Sequence, residues 1–395
     1  LPPSHKLDAG DLRFFHLFAN AAVFGHFLEG FNVTELEEII RSEIAEDGAI
    51  SFARFMQLAL YHPNHGYYER HLKQTGREGD FFTSVNVGSL YGELLGVDFA
   101  RRLKLLEGEI QLIEAGAHDG QLARDLLDFL REYERSVFRR LEYIIVEPSL
   151  TRAQKQFENL ARYGGKVSWI RDWSELEEYR GICFSNELFD AMPVHVFRWE
   201  SDQKHWNEWG VSNVGGQFHW KPLPKEKQSA NAQRLLARLP DELLAVLPNH
   251  FTVEISPDAV SWWLRAAHSL AAGWLVTVDY GLLQDDFFHP HRSRGTLRAY
   301  SKHRSVGSLL DAAGEQDITA HVNFSLLISA GESAGLTTEQ FTHQEQYLKQ
   351  VVEQVVKRPV HFPLWTAMRY RQLTSLLHPE HLGRSFKVLV QGRGL

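Results

Sequence analysis

Two glycines and a run of carboxylates are the residues whose types and spacing could do chemistry. In LIEAGAHDGQLARDLL (112–127) an apolar run ends in Glu114, Gly116 and Gly120 bracket a short turn, and an amphipathic helical pattern follows. A strand–turn–helix of this kind holds ligands beside the turn, at the carboxyl end of the strand. Gly116 suits the tight turn and Gly120 the close packing of the helix. The spacing is G-x-x-x-G. The dinucleotide pattern G-x-G-x-x-G and the triphosphate loop G-x-x-x-x-G-K-[ST] are both missing, so a ligand without a pyrophosphate fits best. Glu147 closes the next apolar run, IIVEP. A carboxylate there can accept both ribose hydroxyls of a nucleoside, each charge-assisted bond contributing about 1.5–3 kcal/mol. Asp172, after a third apolar run, can meet an adenine amino group. Together these residues point to S-adenosylmethionine, an adenosyl cofactor without phosphates. Each also has a plainer reading: turn glycines, a strand cap and a surface Asp.

The next cluster is SNELFDAMPVHVF (185–197), with Asn186, Glu187 and Asp190. Glu187 and Asp190 are three residues apart, so a helical turn would put them on one face. Two carboxylates beside a methyl donor suit a cationic acceptor such as guanidinium, which is always charged near neutrality. The pair can hold the fork bidentately, and one member can take the proton as transfer proceeds. The same acids read equally well as solvated residues at a helix start. GESAG (331–335) matches the hydrolase elbow G-x-S-x-G, but that motif needs a strand before the Ser. Here a helical pattern precedes it, so it reads as a helix end with Gly335 as cap. The 20 histidines show no H-E-x-x-H or comparable ligand spacing, so no metal site is expected.

These residues must be positioned by an α/β sheet. Apolar runs at 110–115, 142–147, 167–170 and 181–185 alternate with helical patterns, which is the mark of parallel βαβ units. Residues 35–61 read as two amphipathic helices with a turn at Asp47-Gly48, and 62–84 as a long functional loop. A helix follows over roughly 88–106. Antiparallel strands are expected over 194–220 and a helical stretch over 228–247. The α/β pattern resumes with a helix at 257–271 and a strand at 273–279. A helix near 323–334, a strand at 337–342, helices across 344–378 and a last strand at 387–391 complete the chain, the last strand suiting an antiparallel edge hairpin. The expected division is a helical N-terminal cap and lid loop (1–106) and an α/β domain (107–395) with an inserted lobe at about 194–256. The 395 residues carry 44% apolar and 23% charged side chains, a balance that argues against disorder. One cysteine, Cys183, excludes an internal disulfide framework and suits a reducing compartment. The net charge of −8 argues against nucleic acid, and no apolar run is long enough for a membrane span. The opening LPPSHKLDAG is not an Arg/Ser-rich leader, which leans to a bacterial cytoplasm, with a mitochondrial matrix as the alternative.

Nine segments, in order, resemble the MidA-like family, which includes the mitochondrial protein-arginine methyltransferase that assists complex I assembly. They are LYHPNHGYY (60–68), GDFFTS (79–84), YGELL (91–95), EAGAHDGQLARDLL (114–127), VEPS (146–149), NELFDAMPV (186–194), VDYG (278–281), GTLRAYSKH (295–303) and QDITAHVNF (316–324). The resemblance implies a class I S-adenosylmethionine-dependent methyltransferase fold, Rossmann-like with a mostly parallel sheet. It also implies a protein substrate, a respiratory-complex subunit among the candidates, with symmetric dimethylation of arginine in the mitochondrial member. The family's turn usually reads G-P-G-R-G, where this chain has Gly116-Ala117-His118-Asp119-Gly120, and Asn323 stands where the family usually has Asp. The N-E-x-x-D-A-x-P segment, from Asn186 to Pro193, is intact. By the same resemblance Gly79, Asp80, Thr83 and Ser84 form a lid over the cofactor, and Pro193, Arg298, His303, Asp317 and His321 shape a substrate cleft. Asp317 or Thr319 serves equally as a helix N-cap, and Trp262-Trp263 reads as core. Three functions follow: an arginine methyltransferase, a weakly catalytic or non-catalytic assembly factor that keeps the fold, and a small-molecule methyltransferase.

Overall fold

A computed structural model describes residues 34–70, 83–301, 304–305 and 307–394. The described residues from Glu35 onward form one compact unit. Helix α1 (Glu35–Asp47) buries Leu36, Ile40 and Ile44, one apolar residue per turn. A two-residue strand, β1 (Ile50–Ser51), leads into α2 (Phe52–Tyr61), capped by the Ser51 hydroxyl accepting from the Arg54 amide. Helix α3 (Leu90–Leu103) precedes the main sheet.

The main sheet is built from β2 (Ile110–Ala115), β3 (Leu141–Val146), β4 (Val167–Ile170), β5 (Tyr179–Asn186) and, later in the chain, β10 (Leu270–Leu282). These five pair in parallel in the order β10-β5-β2-β3-β4. Helices α4 (Gln121–Tyr133) and α5 (Leu150–Leu160) make the first crossovers. Along β2, Ile110 and Leu112 join the core formed with α3 and α4, whereas Ile113 and Ala115 join the opposite core around Trp263. Burial on both faces is why the strands read as continuous apolar runs.

The segment expected as an inserted lobe carries β6 (His195–Glu200), β7 (His205–Val214), β8 (Gln217–Pro222) and β9 (Thr252–Ile255), all antiparallel. The turn falls at Gly215 and Gly216, as expected. The lobe sheet also takes in β1, through Ile50↔Val211 and Ser51↔Gly210. Rings of Phe52 and Phe55 on α2 pack against Trp220 and Phe218 on β8, so the N-terminal helices and the lobe share one core.

Helix α6 (Pro257–Ser269) leads into β10. A small antiparallel sheet then holds β11 (Arg298–Ser301) and β12 (Asp317–Thr319). Neither Asp317 nor Thr319 caps a helix. Asn323 does so for α7 (Phe324–Ser333), accepting from the Leu326 amide. Asn and Asp are nearly equal as N-caps, which accounts for Asn at this position. Gly335, at φ +84°, follows the end of α7, and β13 (Thr337–His343) comes next, so GESAG lies at a helix end. Helices α8 (Gln344–Lys357) and α9 (Ala367–Leu377) precede β14 (Phe386–Arg393). Strand β14 pairs antiparallel with both β10 and β13, leaving β13 at the edge. Among the described residues no helix is long and apolar enough to cross a membrane.

Candidate functional site

A cavity of about 840 Å³ opens at the carboxyl ends of β2 to β5. The turn after β2 forms its floor. Gly116 (φ +76°), His118 (φ +49°) and Gly120 (φ +83°) all take left-handed backbone. A Cβ on Gly116 would lie 3.0 Å from Leu188 Cδ1, and one on Gly120 3.3 Å from Leu160 Cδ1. His118 therefore keeps the conformation a middle glycine would adopt, and histidine is one of the side chains enriched there.

The carboxylates beside this turn have protein partners. Glu114 accepts from the Tyr143 hydroxyl at 2.6 Å, and burial pushes its pKa up to about 8. Glu147 accepts from the Ser149 amide at 2.9 Å and from Gln156 Nε2 at 3.0 Å, with Arg152 Nε 3.2 Å away. Gln156 also donates to the His118 carbonyl at 2.9 Å, tying the turn to the end of β3. Asp172 accepts from the Ser174 amide at 2.9 Å, and that bond holds its pKa below the usual range.

The carboxylates after β5 have a different setting. Glu187 has φ +54° and donates its amide to the Val278 carbonyl at 2.9 Å. The chain from 187 to 192 runs as bends and turns, not the helical turn expected. The cause is Asp279 on β10, which accepts from the amides of Leu188 at 3.1 Å and Phe189 at 2.8 Å. Tyr91 donates to Asn186 Oδ1 at 2.7 Å, and Asn186 Nδ2 donates to Glu187 at 2.8 Å. Asp190 is buried and its Oδ1 has no partner. Asp317 accepts from the Tyr68 hydroxyl at 2.9 Å, and the Tyr61 hydroxyl donates to the Ala191 carbonyl at 2.9 Å. Burial, then the nearby Asp190, raises Glu187 to about 8. Burial, followed by Asp279 and Asp317, pushes Asp190 well above the carboxylate range. Burial carries Asp279 to about 7, with Glu187 adding to the rise. The cause throughout is desolvation plus like charge.

The cavity brings together Thr83, Glu114, Gly116, Glu147, Asp172, Asn186, Glu187, Asp190, Pro193 and Asp317. Other expected residues are elsewhere. Gly120 sits behind the turn as the N-cap of α4. Ser84 is fully buried and donates to Gln344 Oε1 at 3.0 Å, a link to α8 and not part of a lid wall. Arg298 points out from β11, whose alternation turns Ala299 inward, and its guanidinium donates to the Leu297 carbonyl. His321 lines a separate water-sized cavity beside Phe189 and Glu254, and burial holds its pKa down to about 4. Asp80, Gly79 and His303 lie outside the described residues. Trp262 is half-buried, packing against the core and also lining the cavity, while Trp263 is fully buried. Sequence reasoning also missed Asp279, Tyr61, Tyr68, Tyr91 and Arg152. Four of these five lie in segments quoted above, LYHPNHGYY, YGELL and VDYG, and those segments were the available signal.

A family model described as "Putative S-adenosyl-L-methionine-dependent methyltransferase" matches residues 94–342. The mitochondrial protein arginine methyltransferase NDUFAF7 of Mus musculus is 28% identical over 340 residues, 78% of this chain and 72% of its own. The Drosophila melanogaster homologue is 26% identical over 323 residues, 76% and 70% of the two chains. A crystal structure of a Burkholderia thailandensis protein bound to S-adenosyl-homocysteine is similar with a TM-score of 0.75 and 29% identity, covering 91% of this chain and 92% of that one.

Proposed function

This chain belongs to the family of S-adenosyl-L-methionine-dependent methyltransferases, and we propose that it methylates an arginine side chain of a protein. One observation carries the reading. Asp190, buried with an unpartnered Oδ1, lines the same cavity as Glu187 and Asp317 and lies within electrostatic reach of both and of Asp279. A buried carboxylate cluster without cations is costly, and a guanidinium relieves it by pairing.

The residues fit the cofactor. Glu147 uses two of its roughly four acceptor positions within the protein, which leaves capacity for ribose hydroxyls. Gly116 keeps side-chain bulk off the turn, and Asp172 borders the same cavity. The chemistry supplied by S-adenosylmethionine bound there is a methyl group on a cationic sulfonium. Glu187 and Asp190 would hold the guanidinium and orient one nitrogen towards that methyl. A carboxylate of the pair would accept the proton that the nitrogen gives up on methylation. Asn186 would keep Glu187 aimed, since it bonds that carboxylate directly. Positioning of the two reactants supplies most of the rate. The relatives named as protein arginine methyltransferases support the same reading.

The aromatic wall of Tyr61, Tyr67 and Tyr68 favours a second reading, a small cationic acceptor. Radiolabelled methyl transfer into a whole lysate separates the two. Label in protein, released as methylarginine and absent with Glu187→Gln, is the expected result. Label found only in small molecules would overturn the protein reading.

A further inference from the structure

The chain between α8 and α9 carries a surface the cavity does not use. Val356, Val360, Leu364, Met368 and Tyr370 are all more than half exposed, with Val360 at 82% and Leu364 at 88%. Scattered exposed apolar residues are ordinary, but five within one connection and its flanking turns are not. The connection is anchored from below. Phe362 is buried, 5.9 Å from the ring of Phe129 and 5.6 Å from that of Trp365. Trp365 lies 5.3 Å from Tyr370. Arg369 pairs with Glu93 on α3. The outer side chains therefore project from a fixed base.

Charge singles out the same stretch. The whole chain has a net charge of −8, yet residues 354–379 contain no Asp or Glu. Lys357, Arg358 and Arg371 are exposed and have no ion pair among the described residues. Projecting aliphatic side chains, an exposed Tyr and cations with no ion pair among the described residues are the composition that enters the headgroup region of an anionic bilayer. A folded protein partner would need pockets shaped to each projecting side chain, whereas lipid conforms to them. We propose that this connection docks the protein peripherally on an anionic membrane surface, Val360 and Leu364 entering the interface and Lys357, Arg358 and Arg371 facing the headgroups.

The test is co-sedimentation of the full chain with vesicles of phosphatidylcholine alone and of equal parts phosphatidylcholine and phosphatidylserine. Binding to the mixed vesicles that falls with added salt is expected. Lys357→Ala with Arg358→Ala should weaken it about 25-fold, at roughly fivefold per cation. Val360→Ser with Leu364→Ser should weaken it at least about tenfold. Both variants should keep the wild-type melting temperature, because these side chains are exposed. Equal binding to both vesicle types, or binding that neither variant changes, would overturn the proposal. So would no vesicle binding together with a dimer that Leu364→Ser dissociates, which would make the patch a contact between two copies.

Discussion

The two ends of the cavity differ in how far their carboxylates are matched by partners. Beside the glycine turn, Glu114, Glu147 and Asp172 each accept a hydrogen bond from a neighbouring group of the protein. Beside β5, Glu187, Asp279 and Asp317 also accept protein hydrogen bonds, but like charge adds to the burial of Glu187, Asp190 and Asp279, and Asp190 keeps an oxygen with no partner. Under the proposed function the first end takes the hydroxyl-bearing adenosyl part of the cofactor, and a cationic acceptor completes the electrostatics of the second.

The sharpest way to break this division is to neutralise one member of each end. Glu187→Gln should lower methyl transfer by at least about a hundredfold, the usual cost of losing an acid–base group. Its Kd for S-adenosylmethionine by calorimetry should stay at the wild-type value. Loss of cofactor binding in that variant would show that the ends are assigned the wrong way round. Glu147→Gln should do the reverse, weakening cofactor binding about tenfold to a hundredfold as charge-assisted bonds become neutral ones. An unchanged Kd there would remove the ribose role.

A smaller effect concerns pH. Glu187 moves from an ordinary value of 4.5 to about 8 in the folded chain. Between those values the folded state holds a proton that the unfolded state has released, so stability is greatest at the acidic side of this window and falls as pH rises through it. Thermal melts across the window should show a steeper alkaline loss for the wild type than for Glu187→Gln. Equal slopes would mean that the carboxylate is already neutralised or solvated. The smallest expected change is at the turn itself. His118→Gly relieves a left-handed side chain but loosens the unfolded chain, so denaturant melts should show a gain of no more than about 1 kcal/mol. A clear loss of stability would show that the imidazole has a packing role.

The parallel sheet, its glycine turn and the polar residues ending its strands were legible because each is local. Glu114 and Glu147 stand out as carboxylates at the ends of apolar runs. The shape of the acceptor end was not legible. It depends on Asp279 reaching across from β10 to pin the amides of Leu188 and Phe189, a contact between residues about 90 apart in sequence. Spacing alone therefore suggested a helical face for Glu187 and Asp190, where the backbone instead turns through a left-handed residue. Trp262 was hidden by its neighbour. Adjacent residues of a helix point about 100° apart, so Trp263 can fill the core while Trp262 borders the cavity. Strand β9 escaped notice because TVEI is short and its Glu254 reads as solvent-facing, although it is buried and bonded to Thr296.

The pairing of Ile50 with Val211 has a consequence in time. During synthesis the strand that follows α1 leaves the ribosome long before its partner exists, while the apolar faces of α1 and α2 wait with it. Contacts of such high sequence separation must first meet the entropy of closing the intervening chain, and they form late. The partner strand β7 is nevertheless made before β10 and β14, so the wall that carries Tyr61 and Tyr68 can close before the main sheet is complete.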